Sequence, residues 1–204
     1  MPTILGTTIG LGLHPRILNS PAASILFPIT IGSAIGWSLS RKPPPPTHSP
    51  QYPTNPPNPA KTKTTYHSLT QPPLHPPSYL FGPVWTLLYG LMGYGIHHAY
   101  KSSNSHPHFP TTATLYTTQL ILNFLWTPLF FGIEKPGLAL LDILGLGVNL
   151  GALTWSYSRL GDEVAVWTMV PYMAWVSFAT YLNVGVGVLN GWDLKSKRKA
   201  VKEE

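Results

Sequence analysis

Two runs of this sequence set the terms for its fold. Residues 75–100 read HPPSYLFGPVWTLLYGLMGYGIHHAY and residues 119–132 read QLILNFLWTPLFFG. Both are apolar, aromatic and nearly free of charge over helix length, yet Pro83, Trp85, Asn123, Trp126 and Pro128 interrupt them at particular places. A plain membrane anchor needs only Leu, Ile, Val and Phe. Amides and indoles at membrane depth need partners, because an unpaired polar group in hydrocarbon is costly. The two runs therefore call for a bundle that folds around something.

The rest of the chain agrees. Only 10% of its 204 residues are charged, against about 25% in soluble domains. The mean hydropathy of +0.08 averages a polar, proline-rich stretch and a charged tail with a strongly apolar remainder. Five stretches approach the roughly 20 apolar residues that a hydrocarbon core of about 30 Å demands. They are residues 21–39, 78–99, 111–131, 137–157 and 164–189. The expected fold class is an all-α integral membrane protein, a five-transmembrane-helix bundle forming one domain over 21–190. Short connections after the second, third and fourth spans predict antiparallel neighbours in an up-and-down bundle.

Outside the spans, residues 1–20 form an N-terminal segment whose Gly/Thr-rich part, 4–13, is read as disordered. No basic run precedes it, so no secretory leader is expected. Residues 40–77 make a proline-rich loop in which 43–59 (PPPPTHSPQYPTNPPNP) favours polyproline II or coil. It is read as a solvated linker rather than a peptide ligand for another domain. Residues 190–204 form a basic tail. Arg41, Lys42, Lys61, Lys63, Lys135 and the tail cations fall on one side, and only Arg16, Lys101 and Arg159 on the other. The positive-inside rule then places the loop and the C-terminus in the cytosol.

The pI near 9.6 comes from loops and tail rather than a folded basic face, so the expected partner is membrane lipid and not nucleic acid. With no cysteine, disulfides, thiolate metal sites and Cys nucleophiles are excluded. His97 and His98 are adjacent and point apart on a helix, and His106-x-His108 lies in a loop with proline. No metal site and no cofactor are expected. Nothing resembles a phosphate loop, a nucleophile elbow or a paired carboxylate site.

The candidate ligand contacts lie on helix faces. Phe81, Trp85 and Tyr89 recur at i, i+4 and i+8, continued by Met92 and Ile96. The third span aligns Gln119, Asn123, Trp126 and Phe130. The fourth aligns Asp142, Gly145, Asn149, Ala152 and Ser156, where Asp142 serves either capping, a neighbouring helix or a ligand. The fifth aligns Tyr172, Trp175, Ala179 and Asn183 behind a kink at Pro171. Such faces describe an aromatic cavity with a few amide groups, suited to a flat hydrophobic ligand with polar edges. The ligand-binding candidates are Trp85, Tyr89, Asn123, Trp126, Asp142, Tyr172 and Trp175. Gly32/Gly36 and Gly147/Gly151 suit homodimerisation and within-bundle packing equally.

In order and spacing, HPPSYLFGPVWTLLYGLMGYG, LYTTQLILNFLWTPLFFG, ALLDILGLG and VPYMAWVSFATYLN resemble the TspO/MBR family of translocator proteins and tryptophan-rich sensory proteins. The likeness runs over residues 69–183 and four of the five spans. It implies a five-helix membrane protein, often dimeric, with a cavity open toward the side of the first loop. It also implies a mitochondrial outer membrane, or alternatively endoplasmic reticulum, location with a cytosolic C-terminus. The implied ligands are protoporphyrin IX or haem, cholesterol and benzodiazepine-type drugs. Trp85 matches the GPVW tryptophan and Trp175 that of PYxxW, a pair linked in bacterial members to light-dependent porphyrin breakdown. Asn123, Trp126 and Trp175 match cavity positions.

The chain departs from the pattern at Gln71-Pro72 and Leu74, in the insertion 41–66, and at Val184 and Val188. At those last two positions the animal sterol-recognition segment has Tyr and Arg, which puts animal-type cholesterol binding in doubt. The expected function is binding of tetrapyrroles and/or sterols for transport, sensing or sequestration. The rivals are a porphyrin-degrading enzyme using Trp85 and Trp175, and a scaffold acting through the proline-rich loop.

Overall fold

The computed structural model describes residues 12–40, 69–192 and 194. The expectations for residues 4–11, the polyproline stretch and most of the basic tail lie outside the described residues. Six α-helices are present there and no strand: α1 Pro15–Asn19, α2 Pro21–Ser40, α3 Phe81–Ser103, α4 Phe109–Thr127, α5 Pro136–Arg159 and α6 Glu163–Asn190. Five are long and follow the five apolar segments; the sixth, α1, was not expected. It lies across one end of the bundle with Leu18 buried. Ser24 Oγ donates to the Ile17 carbonyl at 2.7 Å, and His97 Nδ1 pairs with the Leu18 carbonyl at 2.8 Å.

Three helices, α2, α5 and α6, are long and apolar enough by composition to cross a membrane. The described residues are thus all-helical, and length and composition alone support three membrane spans rather than the expected five. The reason is physical. The shortfall falls on α3 and α4, whose histidines, threonines and, in α4, amides lower their hydropathy.

Packing order also differs from chain order. The helix α3 packs mainly on α2 and α6, and only weakly on α4, its successor. Small residues decide this. Pro28 in α2 has no N–H, so the Ser24 carbonyl one turn back is left outside the helical ladder. Gly93 of α3 lies against that carbonyl and the Ile25 Cα, and any Cβ there would overlap them. Two residues on, Gly95 admits Thr168 of α6 equally closely. With α3 drawn to both sides, α3 and α4 stay splayed, and the space between them is the cavity described below.

Buried polar side chains bridge the other seams. Thr112 and Ser156 meet at 2.6 Å between α4 and α5, and Asn149 Nδ2 donates to the Leu115 carbonyl at 2.9 Å. At the α5–α6 turn, Gly161 takes φ 72° and Asp162 caps α6 by accepting from the Ala165 amide at 2.9 Å. The same carboxylate pairs with His98 at 2.9 Å and accepts from Ser102 at 2.8 Å, fastening the end of α3 to the start of α6. Burial opposes its charge, but the Ala165 amide, His98 and Ser102 outweigh that and hold the Asp162 carboxyl below the usual carboxylate range.

Candidate functional site

Proline and aromatic spacing build the wall of the cavity. In α4 the helix meets Pro128, which cannot continue the i to i−4 ladder, and the chain widens into a π turn over Pro128–Gly132. There the Ile133 amide donates to the Pro128 carbonyl at 2.8 Å. This turn presents Phe130 and Phe131 beside Trp126; the Trp126 and Phe130 rings stack with centroids 5.2 Å apart. Facing them, Phe81, Trp85 and Tyr89 occupy one stripe of α3, with Trp85 and Tyr89 at 5.4 Å. From α2, Gly32, Ser33 and Gly36 close the third side. A Cβ at Gly32 would sit 2.5 Å from the Tyr89 ring, so only glycine lets α2 lie this close.

The space between these helices, open on one side, is about 420 Å³, within the range of about 300–1,000 Å³ typical of small-ligand sites. A segment before α3 runs along the second half of α6 at its edge. The Thr70 amide donates to Asn190 Oδ1 at 2.8 Å, and Asn190 Nδ2 returns a bond to the Thr70 carbonyl at 2.7 Å. Tyr181 donates to the Pro73 carbonyl at 2.8 Å. Gln71 and Ser78 of this strap reach the cavity lining, while Leu74 is exposed at φ 65°.

Four of the seven candidates, Trp85, Tyr89, Asn123 and Trp126, line the cavity. Asn123 does so while bonded on both sides. Tyr89 Oη donates to its Oδ1 at 2.7 Å, and its Nδ2 donates to Tyr172 Oη at 2.8 Å. Tyr172 is wholly buried and stands behind this floor. Trp175 stands behind Trp85, edge to face at 6.4 Å, where both border a void of about 30 Å³, room for a single water. Asp142 is buried outside the cavity lining, and its Oδ2 finds no hydrogen-bond partner among the described residues. Among the described residues no cluster of metal-ligating side chains occurs.

The candidate set omitted the α2 glycines, Gln71, Thr127 and Asn183, all of which line the cavity. Asn183 shares the i, i+4 face of Ala179, so its signal was present. For Gly32 and Gly36, small-residue spacing cannot tell a cavity wall from a helix seam.

Comparison with known proteins bears on the whole arrangement. The TspO/MBR family profile matches residues 50–189. The chain is 43% identical over 138 residues to the translocator protein homolog of Schizosaccharomyces pombe, covering 64% of this chain and 80% of that protein. It is 38% identical over 129 residues to the human translocator protein, covering 62% and 76%. It is 32% identical over 133 residues to the tryptophan-rich sensory protein of Cereibacter sphaeroides, covering 65% and 80%.

Proposed function

The chain belongs to the TspO/MBR family, and from that premise we propose that it is a receptor-like membrane protein binding flat hydrophobic ligands, tetrapyrroles and/or sterols, between α2, α3, α4 and α6. The observation that carries this is the roughly 420 Å³ aromatic cavity held open by the splay of α3 from α4. Trp85, Trp126 and Phe130 supply flat apolar surface, and the Tyr89–Asn123–Tyr172 chain fixes the floor. In this reading all five long helices cross the membrane. Their polar groups turn inward, as the amide bonds of Asn123, Asn149 and Asn183 indicate. The cation distribution favours a cytosolic C-terminus, and the names of the relatives favour transport or sensing over structural support.

Saturable quenching of tryptophan fluorescence by protoporphyrin IX, in detergent and in the dark, is the test. The signal should weaken in Trp85→Leu and be relieved by sterol. No saturable quenching, with helical content intact, removes the tetrapyrrole reading. The Trp85–Trp175 contact favours a second reading, light-driven porphyrin breakdown. It requires loss of porphyrin absorbance only under illumination, abolished in Trp175→Phe while binding persists.

A further inference from the structure

Exposed tryptophans mark the levels at which the bundle meets the membrane surfaces. Trp155 and Trp167 stand near the α5–α6 turn at one end, and Trp37 and Trp192 stand at the ends of α2 and α6 at the other. Indoles left facing outward at the ends of apolar helices belong at the headgroup level of a bilayer. The helices concerned, α2, α5 and α6, are the three whose composition alone suits a span. The level is therefore independent of the five-span reading and of what the cavity binds.

At the Trp37–Trp192 end the fold draws three basic stretches of sequence together. The end of α2 lies beside the α4–α5 turn, where a Cβ on Gly132 would be 3.6 Å from Leu39 Cδ2, and Arg41 and Lys42 come directly after Ser40. The turn itself passes from Glu134, buried at φ 63°, to the exposed Lys135. After α6 the chain turns at Gly191, φ 83°, and Trp192 covers Gly187 so closely that no Cβ would fit between them. Leu194 is then buried, and its amide donates to the Glu134 carbonyl at 3.1 Å. From that fixed point the sequence continues KSKRKAVKEE, with Lys195, Lys197, Arg198 and Lys199 followed by no acid before Glu203.

Fastening Leu194 limits where those cations can go. Even at full extension Lys199 stays within about 18 Å of it, less than twice the Debye length of about 10 Å at 0.1 M salt. Setting the direction of insertion needs only cations near the ends of spans. It does not need the root of the tail clamped to the turn that carries Lys135. A cluster of about four to eight cations directly beyond a span is the composition that holds an acidic leaflet.

We infer that this end of the bundle is a docking surface for anionic lipid headgroups. The cations of 195–199, rooted beside Lys135 and the end of α2, pair with the phosphates and carboxylates of those headgroups.

Because the chain has no cysteine, Ala200→Cys gives the full-length protein one attachment point for a nitroxide spin label. The labelled chain is placed in nanodiscs of phosphatidylcholine, alone or with about one-third phosphatidylserine. Tumbling of the label, read by electron paramagnetic resonance, should slow about threefold on adding phosphatidylserine. The slowing should vanish at about 1 M NaCl, where the Debye length falls to about 3 Å. It should be absent when Lys195, Lys197, Arg198 and Lys199 are all changed to Gln, substitutions that lie beyond the folded bundle. Leu194→Ala, with helical content unchanged, should release the label at about half the salt concentration, since a freed root lowers the cations' effective concentration at the surface. Equal tumbling of the wild-type label in the two lipids overturns the inference and leaves the cations as determinants of insertion alone. Fast tumbling restored by soluble polyglutamate of equal total charge overturns it in favour of an acidic protein partner. An unchanged salt midpoint in Leu194→Ala overturns the part given to the fastened root.

Discussion

Replacing Asn123 by leucine would expose the logic of the cavity floor. The side chain is 4% exposed, with Tyr89 at 8% and Tyr172 at 0%. Its amide accepts from Tyr89 at 2.7 Å and donates to Tyr172 at 2.8 Å. Asn123→Leu removes two neutral hydrogen bonds, each worth about 1 kcal/mol, and strands two phenolic hydroxyls. Tyr89 borders the cavity and can recover a partner there. Tyr172 cannot, so the expected loss is about 2–3 kcal/mol. Bonds inside membrane bundles often measure lower, nearer about 0.6 kcal/mol each, which sets the floor of the range at about 1 kcal/mol. Titration with a denaturing detergent, followed by circular dichroism, gives the number. The decisive sample is the triple variant Tyr89→Phe, Asn123→Leu, Tyr172→Phe. With every partner made apolar, no polar group is stranded, and the triple should be more stable than Asn123→Leu alone. A triple variant less stable than the single one by the sum of the tyrosine substitutions would refute the reasoning.

Three other perturbations follow from the geometry. Gly93→Ala drives a methyl into the Ser24 carbonyl of α2 and should cost about 1–3 kcal/mol in the same unfolding assay, whereas Gly90→Ala, with open space around its Cβ, should not. Asp162 is held below its ordinary titration range, so its pairing stabilises the protein above about pH 4 and is lost as pH falls through the lower folded value. The stability gap between wild type and Asp162→Asn should therefore not shrink above about pH 5 and should narrow below about pH 4; a gap unchanged on further acidification counts against this. Asn190→Ala releases both bonds to Thr70 and should raise the ligand dissociation rate about five- to tenfold by stopped-flow fluorescence, leaving helical content unchanged.

Helix positions were legible because apolar length is a local property. The stretch read as 137–157 became Pro136–Arg159, and 164–189 became Glu163–Asn190. The third segment was read as one helix to residue 131, whereas the structure ends the α-helix at Thr127 and turns Pro128–Gly132 into a π turn. Proline marked that point in the sequence, but either a kink or a widened turn relieves its missing N–H. Helix order around the bundle was not legible. Whether Gly93 faces α2 and Gly95 faces α6 depends on which neighbour offers a freed carbonyl or a small hydroxyl, and that is a fact of tertiary structure.

For the site, side-chain chemistry was legible and hydrogen-bond accounting was not. Asn123 reads from sequence as the group that meets a ligand's polar edge, yet both its functions are engaged by tyrosines 34 and 49 residues away. Asn183 reads as one more residue on a helix face, and its open acceptor appears only once Nδ2 is seen on Pro136. Trp175 shares a face with Ala179, but Phe81 and Trp85 stand around it, with centroids at 6.0 and 6.4 Å.

The floor and the mouth of the cavity therefore answer to different constraints. At the floor, Tyr89, Asn123 and Tyr172 satisfy one another, so a ligand that broke those bonds would have to replace each of them, at about 1–3 kcal/mol for every group left bare. A ligand seated there would be read by shape alone. Toward the ends of α4 and α6, the strap is held by the two Thr70–Asn190 bonds and the Tyr181–Pro73 bond, and Trp126 and Asn183 have capacity in hand. Discrimination among ligands of similar shape must arise where polar groups are still open, because a closed network gains nothing from the right ligand that it does not gain from the wrong one. Substitutions at the floor should then change stability and affinity together, whereas those at Asn183 should change the ranking of ligands. Measuring both quantities on one set of variants separates the two regions, and a floor substitution that reorders ligands without loss of stability would show the division to be false.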